Sequence, residues 1–283
     1  DSFGGDTNND GAASRPAPGN WNSLTFSSSS TGSALDRAVV RYGSNSLVIN
    51  GSSPTVTNSW IGYGSGDGLQ LYNAALPVIS GNTMASNGGD GLEMVTSSAP
   101  QVTNNGFLNN GAYAMRMDGT CAPTFSGNTA TDNLYNGISV SGSIASDITW
   151  AADLPFVIDG GVTVAAGGRL TLQPGTVVKL RSGNLVVQGT LDARGTSGDP
   201  IVFTSIYDTE AESGGTLLGR ISRATAELLL APGDWGRIEL ASGSSSSVLD
   251  YVVIRFGGKS SYGSLYLNGS SPSISHCTIT DSL

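Results

Sequence analysis

The sequence predicts an all-β solenoid, a parallel β-helix with about 23 residues in each turn. Three observations carry this. Pro54, Pro77, Pro100 and Pro123 recur at a constant step of 23 residues, and a fixed period of roughly 20–50 residues marks stacked repeat units. Each repeat holds a segment that alternates apolar, polar, apolar: Leu69-Gln70-Leu71, Leu92-Glu93-Met94, Met115-Arg116-Met117 and Ile138-Ser139-Val140. That is the pattern of a strand with one face buried. Glycine and asparagine punctuate the gaps, as at Gly81-Asn82, Asn104-Asn105-Gly106, Asn109-Asn110-Gly111 and Gly127-Asn128, and both tolerate the positive φ of tight corners. No helical stripe runs through the stretch.

The columns of the repeat then acquire physical meaning. Val56, Ile79, Val102 and Phe125 are expected to stack inward, as are Leu69, Leu92, Met115 and Ile138. Asn82, Asn105 and Asn128 form an asparagine column at a corner, where stacked amides can bond from turn to turn. Gln70, Glu93, Arg116 and Ser139 point outward and share no chemistry.

Composition agrees. The chain has 283 residues, of which 40 are glycine and only 12% are charged, which suits short strands and turns. A net charge of −9 with 13 scattered Lys and Arg argues against a nucleic-acid partner, since nothing basic is gathered to neutralise phosphates. The acidic, lysine-poor, Ser/Thr/Asn/Gly-rich composition points to an extracellular or cell-surface protein. No apolar run reaches transmembrane length, so no membrane insertion is expected. Cys121 and Cys277 read as free thiols, Cys277 standing where Ser59 stands in the earlier copy described below.

Along the chain, residues 1–142 read as the C-terminal part of one β-helix unit with 23-residue rungs, entered through a loop at 1–19. Residues 143–160 read as a junction that interrupts the ladder. Residues 161–283 read as the start of the next unit. A longer repeat supports this: Trp21, Leu35-Asp36 and Arg41 match Trp235, Leu249-Asp250 and Arg255 at an offset of 214, and Asn50–Pro54 matches Asn268–Pro272 at 218. The chain therefore reads as a fragment of a larger tandem-repeat protein, with neighbouring units as its first partners. An excursion at 206–232 leaves the strand pattern. Within it residues 220–230 predict a short helix packed on the solenoid wall, with Ile221, Ala224, Leu228 and Leu229 on one face.

Two places could carry chemistry. Asp6-x-Asn8-x-Asp10-Gly11 has oxygen ligands at alternate positions before a glycine, the opening of a calcium loop. The residue at its twelfth position is Ala17, so it is not an EF-hand; Asp1 and Asp36 are candidates for the remaining ligands of a bound Ca2+. The second place is the outer wall at Glu93 and Arg116, with Asp90 and Asp67 at a corner and Asp118 beyond. A polysaccharide lyase needs carboxylate-held calcium and a nearby base, and a glycosidase needs two opposed carboxylates. Glu93 and Arg116 also read simply as a surface ion pair between stacked strands. His276 has no second histidine to join. The hydroxyl column Thr57, Ser80, Thr103, Ser126 is one residue wide, where a flat ice-binding face needs more.

The rungs with their PxVTNNxF pattern, LTLQPGTVVKL (170–180), VQGTLDARGTSGDPIVFTS (187–205) and APGDWGRIEL (231–240) resemble the right-handed parallel β-helix repeats of large bacterial secreted and cell-surface proteins, with the pectate-lyase-like fold. The resemblance covers nearly the whole chain and implies a right-handed helix and a secreted or surface location. The superfamily includes lyases, hydrolases, adhesins and stalk-like proteins, so it does not select a function. The expectation is a non-enzymatic structural or adhesive module. The alternatives are a carbohydrate-active β-helix that binds or cleaves extracellular polysaccharide, and a self-assembling, filament-forming or ice-binding surface protein.

Overall fold

The computed structural model describes residues 9–11, 13–211, 218–219, 222–259 and 263–283. The chain winds into a parallel β-helix of about 11 turns. Among the described residues all strand pairs between turns are parallel, and they form one 13-stranded sheet and three 5-stranded sheets. In the first turns a rung contributes one strand to each of three sheets, for example Leu69–Tyr72, Val78–Ser80 and Thr83–Ala85.

The expected columns stack in register. Leu69 pairs with Leu92 and Leu92 with Met115; Ile79 pairs with Val56 and with Val102. All of these side chains are fully buried. They belong to one apolar core that runs without a break from Leu47 to Ile254. Because side chains alternate across a strand, the period of two in the sequence is enough to fill this core from one face of each rung.

The corners carry the polar half of the design. Between strands the backbone leaves the sheet, and its amides and carbonyls need other partners. The Asn105 side chain supplies them: its oxygen accepts the Asn82 backbone N–H at 2.9 Å, and its Nδ2 donates to the Ile79 carbonyl at 3.0 Å. Asn82 and Asn128 repeat the arrangement, and Asp153 continues it by accepting from Asn128. A second ladder, Asn87–Asn110–Asn133, does the same at the next corner. It keeps the 23-residue step, so the signal for it is present in the sequence beyond the columns drawn above.

At 143–160 the expected interruption is only partial. The long sheet continues, with Ile138 opposite Phe156 and Val140 opposite Ile158 across a shortened rung. The second and third sheets end at Thr124–Ser126 and Thr129–Thr131, and a fourth begins at Asp147–Trp150. Trp150, stacked on Phe156 at 4.5 Å, fills the core where the cross-section changes. Beyond this point the strands Phe156–Val164 and Val177–Val187 bend through glycine, and a Cβ at Gly183 (φ +80°) would overlap the Gly160 carbonyl oxygen.

The short rung shifts the second copy by one face. Leu24–Phe26 lies in the main column of the long sheet, whereas its counterpart Ile238–Ala241 pairs with the second half of the bent strand, at Leu185–Val187. Local structure is nonetheless reproduced. The Trp21 indole donates to the Arg41 carbonyl and the Trp235 indole to that of Arg255. Asp36 accepts from Thr57 and Asn58, and Asp250 accepts from Ser275 and meets His276, all at 2.8 Å. The sole histidine is thus a corner residue doing the work of an asparagine.

The excursion is inserted at the bend of one rung, between Ile201–Ser205 and Ile238–Ala241. Its helix is Arg223–Leu229, capped by Ser222. The helix does pack on the wall, but through Ala226; Ala224 is exposed, and so are Leu228 and Leu229 (87% and 47%), while Ile221 lies outside the described residues. With one small residue facing the wall, a seven-residue helix settles close to the sheet and turns its leucines outward. Cys121 is buried and Cys277 half-buried, and both are free thiols. Burial, with the nearby Asp118, pushes the Cys121 thiol up to about 12.

Replacing Asn105 by Ala should orphan the Asn82 N–H and the Ile79 carbonyl and destabilise the chain by about 3 kcal/mol. Urea unfolding measures this directly. A loss below about 0.5 kcal/mol would mean the amide column does not hold the corner.

Candidate functional site on the outer wall

The outward column of the long sheet runs Gln70, Glu93, Arg116, Ser139, Val157, Lys179 and Thr204, each opposite the next. Its character changes halfway. Arg116 is exposed, but Ser139, Val157, Lys179 and Thr204 are buried although they point away from the core. The excursion roofs them. Ile206, Leu218 and Ala226 pack with Val157 and Tyr113 in a small apolar cluster outside the solenoid. Lys179 reaches under the roof to donate to the Asp208 carbonyl at 2.6 Å, and Asp208 accepts from Thr204 at 2.5 Å and faces Arg255 in an ion pair. The sequence singled out the excursion, but nothing in it marked which wall the segment would cover.

The wall residues Glu93, Arg116 and Asp90 come together at the open edge of this roof, though not in the expected pairing. Arg116 forms its ion pair with Asp90, Nε to Oδ2 at 2.6 Å, and not with Glu93. Glu93 instead accepts from the Gln70 amide at 2.5 Å. The reason is the corner: Asp90 turns its carboxylate back over the strand to cap the next rung, which places one oxygen beside the guanidinium. Asp67 and Asp90 form a ladder of carboxylates, Asp67 Oδ1 accepting the Asp90 N–H and Asp90 Oδ1 accepting the Tyr113 N–H, each at 2.7 Å. One rung earlier the same place is held by Asn45, whose side-chain oxygen accepts the Asp67 N–H.

Electrostatics follow from this packing. Burial, then the neighbouring Asp90 and Glu93 charges, raise Asp67 from 3.8 to about 6. Burial also raises Asp90, against the pull of Arg116. Arg116 is held above its ordinary value: burial acts to lower it, and Asp90 more than offsets that. It is therefore a fixed cation and a poor base. Tyr113 stacks on Tyr135 at 4.7 Å between centroids and donates to Asp159 at 3.1 Å. Burial and the Asp159 charge hold its phenol well above the usual range. Arg116 and Arg181 lie over the Tyr113 and Tyr135 rings at 5.7 and 5.6 Å, distances at which a cation is attracted to a ring face. The result is a continuous set of charge-paired and stacked groups. Asp118, the remaining wall carboxylate, is bound to Thr96 and Thr120.

Of the calcium-loop residues, Asp6 and Asn8 lie outside the described residues and Asp10 is exposed. Asp1 also lies outside them. Asp36 is engaged by Thr57, Asn58 and Arg37 in its corner. Among the described residues no group of three or more His, Cys, Asp or Glu side chains is placed to hold a metal ion.

The Asp67→Asn variant keeps an oxygen for the Asp90 N–H, as Asn45 does for Asp67. The Asp67 carboxyl is more basic folded than unfolded, so its contribution is complete below about pH 4 and is lost as pH rises through about 6. The variant should therefore be more stable than wild type at pH 7 by about 2 kcal/mol and show a flatter melting temperature between about pH 4 and 6. Equal pH profiles for the two proteins would refute the assignment.

Two family models match the sequence: the right-handed beta helix region over residues 19–149, and the pectate-lyase-like beta helix domain over residues 142–273. No curated protein and no solved structure matches the chain. The boundary between the two matches falls at the short rung, where the sheets change. With its stacked parallel rungs and both matches, the chain belongs to the right-handed parallel β-helix proteins of pectate-lyase-like fold.

Proposed function

We propose that this chain is a non-catalytic structural and adhesive β-helix module, displayed outside the cell as part of a longer protein of tandem units. The observation that carries this reading is the use made of the wall carboxylates. Asp67 and Asp90 each give an oxygen to the backbone of the next rung, and Arg116 is clamped by Asp90. Groups committed to holding a corner are not poised to take and return a proton. The acidic, lysine-poor composition supports the extracellular placement. The same proposal gives the loop at Asp6, Asn8 and Asp10 a calcium ion, which would brace the entry to the first rungs.

A second reading, a carbohydrate-active wall, is favoured by one observation: the Asp67 carboxyl, raised to about 6, sits with Glu93 and Arg116 at the open edge of the roof. The two readings separate on incubation with acidic and neutral polysaccharides, with and without calcium. The structural and adhesive reading expects binding without release of unsaturated or reducing ends, and calcium that raises only the melting temperature. Cleavage that disappears in Arg116→Ala would establish the second reading and remove the first.

A further inference from the structure

The third sheet begins with an outer surface unlike its continuation. Its outward column reads Val39, Trp60, Thr83, Gly106, Thr129. Small residues hold the later rungs, and an indole holds the second. A Cβ on Gly62 would lie 2.0 Å from the Ala85 carbonyl oxygen and 2.6 Å from Trp60 Cη2, so the close approach of the next rung and the indole together keep glycine here, whereas Ala85, Leu108 and Thr131 carry side chains at the same position. The corner that follows this sheet is left-handed in every one of these rungs, at Tyr42 (φ 66°), Tyr63 (φ 51°), Ser86 (φ 60°), Asn109 (φ 53°) and Asp132 (φ 57°). Asn and Asp are at home in such corners, while a bulky aromatic residue there is an outlier. A strained residue retained where the neighbouring rungs use an easy one points to a use for its side chain.

Those side chains make a groove. Tyr42 stacks on Tyr63 at 5.5 Å and 13°, and Trp60 meets Tyr63 at 5.1 Å, tilted by 48°. The Arg41 guanidinium lies over the Tyr42 ring at 5.6 Å. Val39, Arg41, Trp60 and Tyr63 line an open hollow of about 460 Å³, and Tyr63 and Val39 are well exposed. The fold does not require this arrangement. In the second copy the positions of Tyr42, Trp60 and Tyr63 are held by Phe256, Thr278 and Asp281; Phe256 and Asp281 take the same left-handed corners (φ 61° and 50°), so one aromatic corner recurs but the indole and the second ring do not.

We propose that this groove binds pyranose rings of a neutral polysaccharide. The proposal rests on the adhesive reading and gives it a site and a ligand class. A pyranose has an apolar C–H face and a rim of hydroxyls. Indole and phenol rings offer matching flat apolar faces with a polar edge, and a guanidinium adds fixed donors for the rim. The net charge of −9 disfavours a polyanionic ligand at range. Thr83, Ser86 and Asn109 on the following rungs suit a wet contact better than an apolar protein face.

The test is titration of the whole chain with cello-, xylo-, manno- and laminari-oligosaccharides, followed by calorimetry and tryptophan fluorescence. Wild type should bind at least one of them. Trp60→Ala should weaken that binding roughly tenfold or more, as loss of a central aromatic anchor does. Tyr63→Asn installs the residue that Asn109 provides in the same corner. It should melt no lower than wild type and still lose most of the affinity. Absence of binding to every oligosaccharide, or wild-type affinity in both variants, would overturn the proposal. So would concentration-dependent dimerisation abolished by Trp60→Ala, which would give the groove to a second copy. Wild-type affinity in both variants leaves the adhesive reading standing with its site elsewhere. Cleavage of a bound oligosaccharide ends the adhesive reading while the affinity losses still decide the groove.

Discussion

The first half of the solenoid depends on a side-chain amide reaching from one turn of the chain to the next. Sheet pairing satisfies the backbone within strands, but a solenoid must turn corners in each rung, and there the turn-to-turn backbone bonds leave single N–H and C=O groups over. Asn82, Asn105 and Asn128 at one corner, and Asn87, Asn110 and Asn133 at another, partner these groups. Each side chain offers one acceptor and one donor group, at the right height to meet an N–H on the neighbouring turn and a C=O of a strand end. An unpartnered buried amide or carbonyl costs about 1–3 kcal/mol, so columns of such corners decide whether the rungs stack at all. Asp67 and Asp90 show the same device run with carboxylates, and the charge they bring is why Arg116 is drawn in beside them.

With inside and corners fixed in this way, the outward positions are free to differ. Gln70, Glu93, Arg116, Ser139, Val157, Lys179 and Thr204 occupy equivalent places on successive rungs and have nothing in common chemically. Three outward environments result. One is charge-paired around Arg116, one is roofed by the excursion, and one is the aromatic groove on the third sheet. Each is made by changing residues that the stacking does not need, which lets a uniform rod carry local surfaces without altering its core.

The long repeat and the winding are not in phase. A single short rung, Ile138 to Phe156, moves the second copy by one face. Hydrogen bonds inside the copy survive, because the Trp21 and Trp235 indoles find the same carbonyl 20 residues along the chain. Contacts between turns inside the copy survive as well: Asp36 over Thr57 and Asn58 is repeated by Asp250 over Ser275 and His276, and the strand pairs Ala34–Asp36 with Thr55–Thr57 and Val248–Asp250 with Ser273–Ser275 match. Trp150 and Phe156 fill the changed cross-section.

By itself the sequence determined the fold class, the inward columns and one asparagine ladder, since each is written in a period and in residue types that have few alternatives. It also held the second ladder and the aromatic corner, in the steps of Asn87–Asn110–Asn133 and in Tyr42 and Tyr63 standing where later rungs carry Ser86 and Asn109. Only the tertiary structure decided that Arg116 pairs with Asp90 and not Glu93, that the helix presents Ala226 to the wall and not its leucines, and that the second copy is turned by one face. These outcomes depend on where a corner side chain folds back, how closely a short helix can approach a sheet, and how many residues one rung omits. A repeat fixes which residues stack; the geometry of its exceptions settles what they meet.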